Sequence, residues 1–205
     1  MPGSVRRQQA TIFTGIAIGA IPAVALWFIL LRVIPPLSGQ PPLQIALGCC
    51  AVAALLTLVA GVEAVAHERL VSRAIDPLAG AESRRMRVNL RYLSNTVEQF
   101  IAFAVGLLAL SAYAPAHVLI VATIVWVATR WAFWIGYHIN ALLRGAGVGG
   151  MAQSMIVLLY VAYRFGNDSF GRPAGLVLVA AFALIETILL GVAVHPSPVD
   201  NARQE

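Results

Sequence analysis

Long apolar runs, separated by short segments that hold most of the charge, set the pattern of this 205-residue chain. Residues 11–31 and 43–62 carry no charge, and 99–129 stay uncharged for thirty-one positions. A helix crosses the hydrocarbon core with about 20 residues, so the last run is too long for one crossing. Pro115, among small and polar residues at 111–117, reads as a tight turn that divides it. Spans are therefore expected near 90–112 and 116–143. Residues 145–163 are again uncharged, and 173–194 carry Glu186 alone. The pattern predicts six transmembrane helices. Because the runs are continuous rather than alternating, they exclude barrel strands of about 9–11 residues.

Composition fixes the class. Hydrophobic residues make up 60% of the chain and charged ones 11%, with a mean hydropathy of +0.82. Soluble domains have roughly 45–50% apolar and about 25% charged residues. The chain is therefore expected to be an all-α integral membrane protein with the lipid bilayer as its first partner, not a soluble enzyme or a nucleic-acid reader. All fourteen basic residues are arginine, against nine acidic ones, and membrane topology accounts for them. With the N-terminus inside, Arg6, Arg7, Arg69, Arg73, Arg84, Arg85, Arg87, Arg91, Arg144 and Arg203 are cytoplasmic, while Arg32, Arg164 and Arg172 are outside. The arginine bias of the short loops then puts both termini in the cytoplasm. The first run exceeds the 7–15 apolar residues of a secretory signal and no A-x-A site follows, so it reads as a retained anchor.

Few residues offer chemistry. Cys49 and Cys50 are adjacent inside a span and read as small packing residues rather than a redox pair. His67, His117, His138 and His195 are scattered over loops and helix ends, and no metal-binding or phosphate-binding motif occurs. No metal is expected. Ionisable residues inside spans are functional candidates because each costs several kcal/mol unless paired or hydrated. Glu98, Arg130 and Glu186 are these positions. Arg91, Asn95 and Glu98 follow at i, i+4 and i+7, one face of a helix. Arg130, Tyr137 and Arg144 are spaced by seven, which keeps all three on one side of a fourth helix that continues past 143. Two polar stripes at one depth suggest a pocket. An internal Arg–Asn–Glu network closing the bundle, with Arg144 as an interface anchor, is the alternative.

Arg91-Tyr-Leu-Ser-Asn95-Thr-Val-Glu98, followed after a hairpin by Arg130-Trp-Ala-Phe-Trp-Ile-Gly136-Tyr137 and then Arg144, resembles the membrane-associated proteins in eicosanoid and glutathione metabolism, the MAPEG family. That family holds microsomal glutathione transferases, leukotriene-forming synthases and a non-enzymatic lipid-presenting member. The resemblance covers residues 43–165. It implies a homotrimer of four-helix units with glutathione, as substrate, between neighbouring subunits near the cytoplasmic face. Arg91, Asn95 and Glu98 would bind the tripeptide, Tyr137 would contact it, Arg130 would support it, and Arg144 would stabilise the thiolate for attack on a small lipophilic substrate. Residues 1–42 and 166–205 would each add a helix and a tail to the core, and Glu186 would pair with a polar group of that core. Several positions depart from the family's pattern. Gln99 replaces a tyrosine, Ile101 a proline, Leu93 a histidine or glutamine, and Phe133 a tyrosine. A non-catalytic lipid-binding scaffold on the same fold is the second reading. A small transporter using Glu98, Arg130 and Glu186 is the third, but the two halves share no internal repeat of the kind transporters carry.

Overall fold

The computed structural model describes residues 2–37, 39–72, 75–76 and 80–194. Arg73, His195, Arg203 and the tail expected after the last span lie outside the described residues. Among the described residues the chain forms six long helices and no strand. These are α1 (Pro2–Val33), α2 (Pro42–Val71), α3 (Arg84–Leu110), α4 (Ala116–Ile139), α5 (Val148–Phe170) and α6 (Arg172–Val194). Helices α2 to α6 contain stretches long and apolar enough to cross a bilayer, and in α1 the apolar part is Ala17–Val33. The chain divides into two compact units at Leu158. The first holds α1 to α4 and the start of α5; the second holds the rest of α5 and α6.

Helix ends follow local chemistry. Pro42 opens α2, where its missing N–H and fixed φ cost nothing. Ser83 caps α3 by accepting from Met86 N at 3.0 Å, and its hydroxyl donates to Glu68 Oε1 at 3.0 Å. Arg85 Nε lies 3.0 Å from the other oxygen of the buried Glu68. One carboxylate thus ties the end of α2 to the start of α3. Gly171, with φ of +88°, ends α5 in the left-handed region that glycine adopts without strain.

Within the first unit α4 is the central helix, with half of its apolar stretch buried against 22% for α2 and 28% for α3. Helix α1 packs on it through Ala23, Val121 and Val125, joined by Leu26, Trp27 and Leu30. Helix α2 packs on α4 and α3, and α3 on α4. Large apolar side chains elsewhere face outward, among them Val52, Leu55, Ile101, Val105 and Ile156. Apolar exposure on this scale marks a surface that meets lipid.

Helix α2 contains a π turn at Leu55–Val59. Such a turn breaks the i→i−4 ladder, and in hydrocarbon a freed carbonyl must find a donor inside the protein. Tyr92 Oη donates to Thr57 O at 3.2 Å and Trp131 Nε1 to Leu56 O at 3.1 Å. Gly61, one turn on, leaves room for the Tyr92 ring, which a Cβ there would meet at 2.9 Å. Helices α2, α3 and α4 are therefore pinned together by the irregularity in α2.

Several boundaries differ from those expected from the apolar runs, with α1 beginning at Pro2 and α2 reaching Val71. Helix α3 begins at Arg84 rather than near 90, because the Ser83 cap nucleates it in polar sequence. Helix α5 runs over Val148–Phe170 rather than 145–163. Helix α4 stops at Ile139 rather than at 143: Asn140 is extended, with φ of −151° and ψ of 135°, and Ala141–Gly147 form a 3₁₀ segment. Arg144 therefore does not share a helix with Arg130 and Tyr137. The physical reason is at Gly136, where the 3₁₀ backbone folds back so closely that a Cβ would lie 2.7 Å from Leu143 O.

Tyr92→Phe removes the donor to Thr57 O and is expected to lower the unfolding free energy in detergent micelles by about 1 kcal/mol. An unchanged denaturation midpoint would show that the bond from Ala60 N is enough to satisfy Thr57 O.

Candidate functional site

Asn95 and Gln99, four residues apart, stand one turn from each other on α3 and point toward α4. Gln99 Nε2 donates to Asn95 Oδ1 at 3.2 Å. From α4, Arg130 reaches both: Nη1 donates to Gln99 Oε1, and Nη2 to Asn95 Oδ1 at 2.9 Å. Arg130 is fully buried. Its Cζ lies 4.5 Å from the Phe133 ring centroid and 6.0 Å from that of Tyr92, within cation–π reach.

Neutral amide oxygens satisfy hydrogen bonds without cancelling charge. A carboxylate in the same place would have formed an ion pair and quenched the field; two amides leave the guanidinium's positive charge available to a ligand. One donor, Arg130 Nε, is buried with no acceptor among the described residues.

A cavity of about 440 Å³ opens beside this cluster, of a size suited to a small-molecule site. Arg91, Ser94, Asn95, Glu98 and Gln99 line it from α3, and Arg130, Phe133 and Tyr137 from α4. Arg144, Gly145 and Gly147 close it from the 3₁₀ segment, and Val148 and Met151 from the start of α5. Among the described residues, three guanidinium groups thus share one cavity with a single carboxylate, Glu98.

The six residues to which the resemblance gives a role at the site all line this cavity, by different routes, and Glu186 does not. Arg91, Asn95 and Glu98 share a face of α3 as their spacing requires, and Arg130 and Tyr137 share a side of α4. Arg144 arrives from the 3₁₀ segment instead of extending the α4 stripe. The closed Arg–Asn–Glu network is not formed, since Asn95 turns to Arg130 and Gln99. Arg91, Glu98 and Arg144 are exposed and have no hydrogen-bond or ion-pair partner among the described residues. Gln99 and Phe133, two of the departures from the family's pattern, hold the buried guanidinium together with Asn95. Their signal was present in the sequence, as an amide one turn after Asn95 and an aromatic residue three after Arg130.

The wall below is built from aromatic rings and one amide. Tyr92 and Trp134 stack at 4.4 Å with an 11° interplanar angle. Asn89 Oδ1 accepts from Trp134 Nε1 at 3.0 Å and lies 3.0 Å from His138 Nε2. Arg84 Nη1 donates to His138 O at 2.9 Å, filling a carbonyl that the end of α4 leaves open. His138 is therefore tied to packing. Glu186 sits half-buried on α6, and no hydrogen bond or ion pair to it is found among the described residues of its own unit. Cys49 and Cys50 are free thiols, and no group of three His, Cys, Asp or Glu residues could hold a metal among the described residues.

Gln99→Leu leaves the Arg130 Nη1 donor without its acceptor and is expected to cost about 2 kcal/mol of stability, measured by chemical unfolding in micelles. Gln99→Glu keeps an acceptor there and is expected to cost less. An equal loss in both variants would show that Arg130 is held by something other than this bond.

The matching family model is that of the MAPEG family, over residues 46–165, more than half of the chain. Neither a curated protein nor a solved structure matches the chain. The matched segment begins inside α2, ends inside α5 and contains every residue of the cavity. A helical membrane fold, the paired motifs on α3 and α4 and this match lead to one conclusion: the chain is a member of the MAPEG family.

Proposed function

We propose that the chain is a membrane-embedded enzyme that takes glutathione, or another low-molecular-weight thiol, as substrate and presents its thiolate to a lipophilic electrophile, as a transferase or thiol-dependent peroxidase does. The observation that carries this reading is the cavity in which Arg91, Arg130 and Arg144 face Glu98 alone. Glutathione has two carboxylates, an ammonium and a thiol. An excess of cations with one carboxylate complements it, and the attraction to the buried Arg130 is screened least.

In this reading Glu98 takes the ammonium, Arg91 and Asn95 hold a carboxylate end, and Tyr137 contacts the peptide. Arg130 is committed to Asn95 and Gln99 and contributes its field from a fixed place. Arg144 is different. It is exposed on a short 3₁₀ segment, without a partner among the described residues, so it can settle on the sulfur. A thiol with a pKa of about 8.5 is mostly protonated at neutral pH. A nearby guanidinium, which does not lose its proton, shifts the balance to the anion. The sulfur then bonds to the electrophilic centre while the leaving group departs with its electron pair. An apolar substrate reaches this point already concentrated in the bilayer.

The same proposal makes the protein a homotrimer, with the exposed charges of Arg91, Glu98 and Arg144 completed by a neighbouring subunit. It takes residues 43–165 as the core, α1 and α6 as additions to it, and both termini as cytoplasmic, on the arginine bias of the loops.

Ultraviolet difference spectra of the purified full chain in micelles, titrated with glutathione, test the reading. The wild type is expected to show thiolate absorbance at neutral pH. Arg144→Ala is expected to lose most of that signal while binding the tripeptide within about tenfold of the wild type, because one unit of thiol pKa is itself a tenfold change in the acid–base ratio. Absence of glutathione binding in the wild type overturns the glutathione reading. A thiolate signal unchanged in Arg144→Ala removes Arg144 from the chemistry.

A further inference from the structure

A second cavity, of about 330 Å³, lies between α1, α4 and the start of α5. Ala20, Ala23, Val24 and Trp27 line it from α1, Val125 from α4, and Ala152 and Gln153 from α5. It lies within the first compact unit. Helix α1 lies outside the matched residues 46–165, so this cavity depends on a part of the chain beyond the family match.

The cavity is built by a held helix. Gly149 lets α5 meet α1 so closely that a Cβ there would lie 2.8 Å from Ala23 Cβ and 3.3 Å from Gly19 O. Ala23 in turn packs on Val121 and Val125. No charged residue lines the space among the described residues. Its one side-chain acceptor is the Gln153 amide, whose orientation is set by a bond: Nε2 donates to Ala122 O at 2.7 Å. Flipping the amide would oppose two carbonyl oxygens. Oε1 is therefore left as an acceptor, buried and with no donor among the described residues. In hydrocarbon an unsatisfied carbonyl is costly and water is scarce, so a complementary ligand brings its own donor.

Charge selects among such ligands. A carboxylate or phosphate would find no cation and has no proton to give, and an ammonium would be buried without a counter-ion. A neutral hydroxyl meets neither objection. We propose that this cavity binds a neutral, hydroxyl-bearing amphiphile taken from the bilayer, with its chain along Ala20, Val24 and Ala152 and its hydroxyl donating to Gln153 Oε1 once the Gln153 side chain shifts enough to uncover that buried oxygen. The site is separate from the arginine cavity and does not depend on the thiol chemistry.

The test uses the full chain in lipid nanodiscs with two photoreactive probes of equal chain length, a long-chain primary alcohol and the matching hydrocarbon. Labelled peptides are located by mass spectrometry, and affinity is read by competition with unlabelled alcohol. The alcohol is expected to label the segments around Trp27 and Gln153 with on the order of tenfold higher affinity than the hydrocarbon, the equivalent of one hydrogen bond. Gln153→Met is expected to bring the alcohol down to the level of the hydrocarbon, and Ala152→Phe, which fills the space, to abolish labelling by both. The wild-type comparison of the two probes stands even where a variant folds poorly. Equal labelling by alcohol and hydrocarbon overturns the proposal in favour of unselective filling by acyl chains. Cross-links between two copies through α1 overturn it in favour of a protein contact. Alcohol labelling insensitive to Ala152→Phe places the probe elsewhere and also overturns it.

Discussion

A guanidinium buried among neutral partners is the constraint on which the rest of the first unit depends. Arg130 lies inside the central helix, where an unsolvated charge costs several kcal/mol. It is tolerated because two amides on α3 accept its protons and the Phe133 ring covers its plane. These partners satisfy the group without neutralising it. The bundle thereby stores a positive potential next to a cavity, and the α3–α4 interface must keep its register for the bonds to survive. Stability and anion attraction come from one arrangement, and replacing an amide with a carboxylate would trade the second for an ion pair.

The surrounding elements serve that register. Around the π turn in α2, Thr57 O accepts from Tyr92 Oη as well as from Ala60 N, and Leu56 O accepts from Trp131 Nε1, which locks α2 against α3 and α4. Asn89 repeats the device one turn below the cavity, joining α3 to Trp134 and His138 on α4. Glu68 secures the other end by binding both Ser83 and Arg85. The first two are cases of the rule that polar groups in hydrocarbon must find partners within the protein, and the Glu68 cluster ties the same helices where the chain turns polar. Glycine supplies the close approaches: Gly136 receives the 3₁₀ backbone that delivers Arg144, and Gly149 admits α1 onto α5.

The two cavities of the first unit differ for the same physical reason. One holds three guanidinium groups, the buried one paired with neutral amides, against a single carboxylate among the described residues, so it favours an anion. The other has no charge and one idle carbonyl, so it favours a neutral donor. Neither depends on the hydrophobicity of the spans as such. What sets each is the small number of polar atoms left unsatisfied after the helices have packed.

Hydropathy alone determined that the chain is a helical membrane protein with six apolar helices, because a run of about 20 uncharged residues has almost no other stable use. Residue spacing was enough to place Arg91, Asn95 and Glu98 on one face, and the paired motifs on successive helices were enough to suggest the family. The helix ends were less legible, since Ser83 extends α3 into polar sequence and Asn140 stops α4 while the chain is still apolar. Arg144 shows the limit most clearly. Its spacing of seven from Tyr137 pointed to the cavity, but by a continuous helix that does not exist; a backbone fold over Gly136 brings it there. Only tertiary structure decided that Gln99 and Phe133 support Arg130, and that Gln153 is left with a free acceptor beside α1. Those facts depend on which side chains meet across helices, and periodicity along one helix carries no information about its neighbour's register.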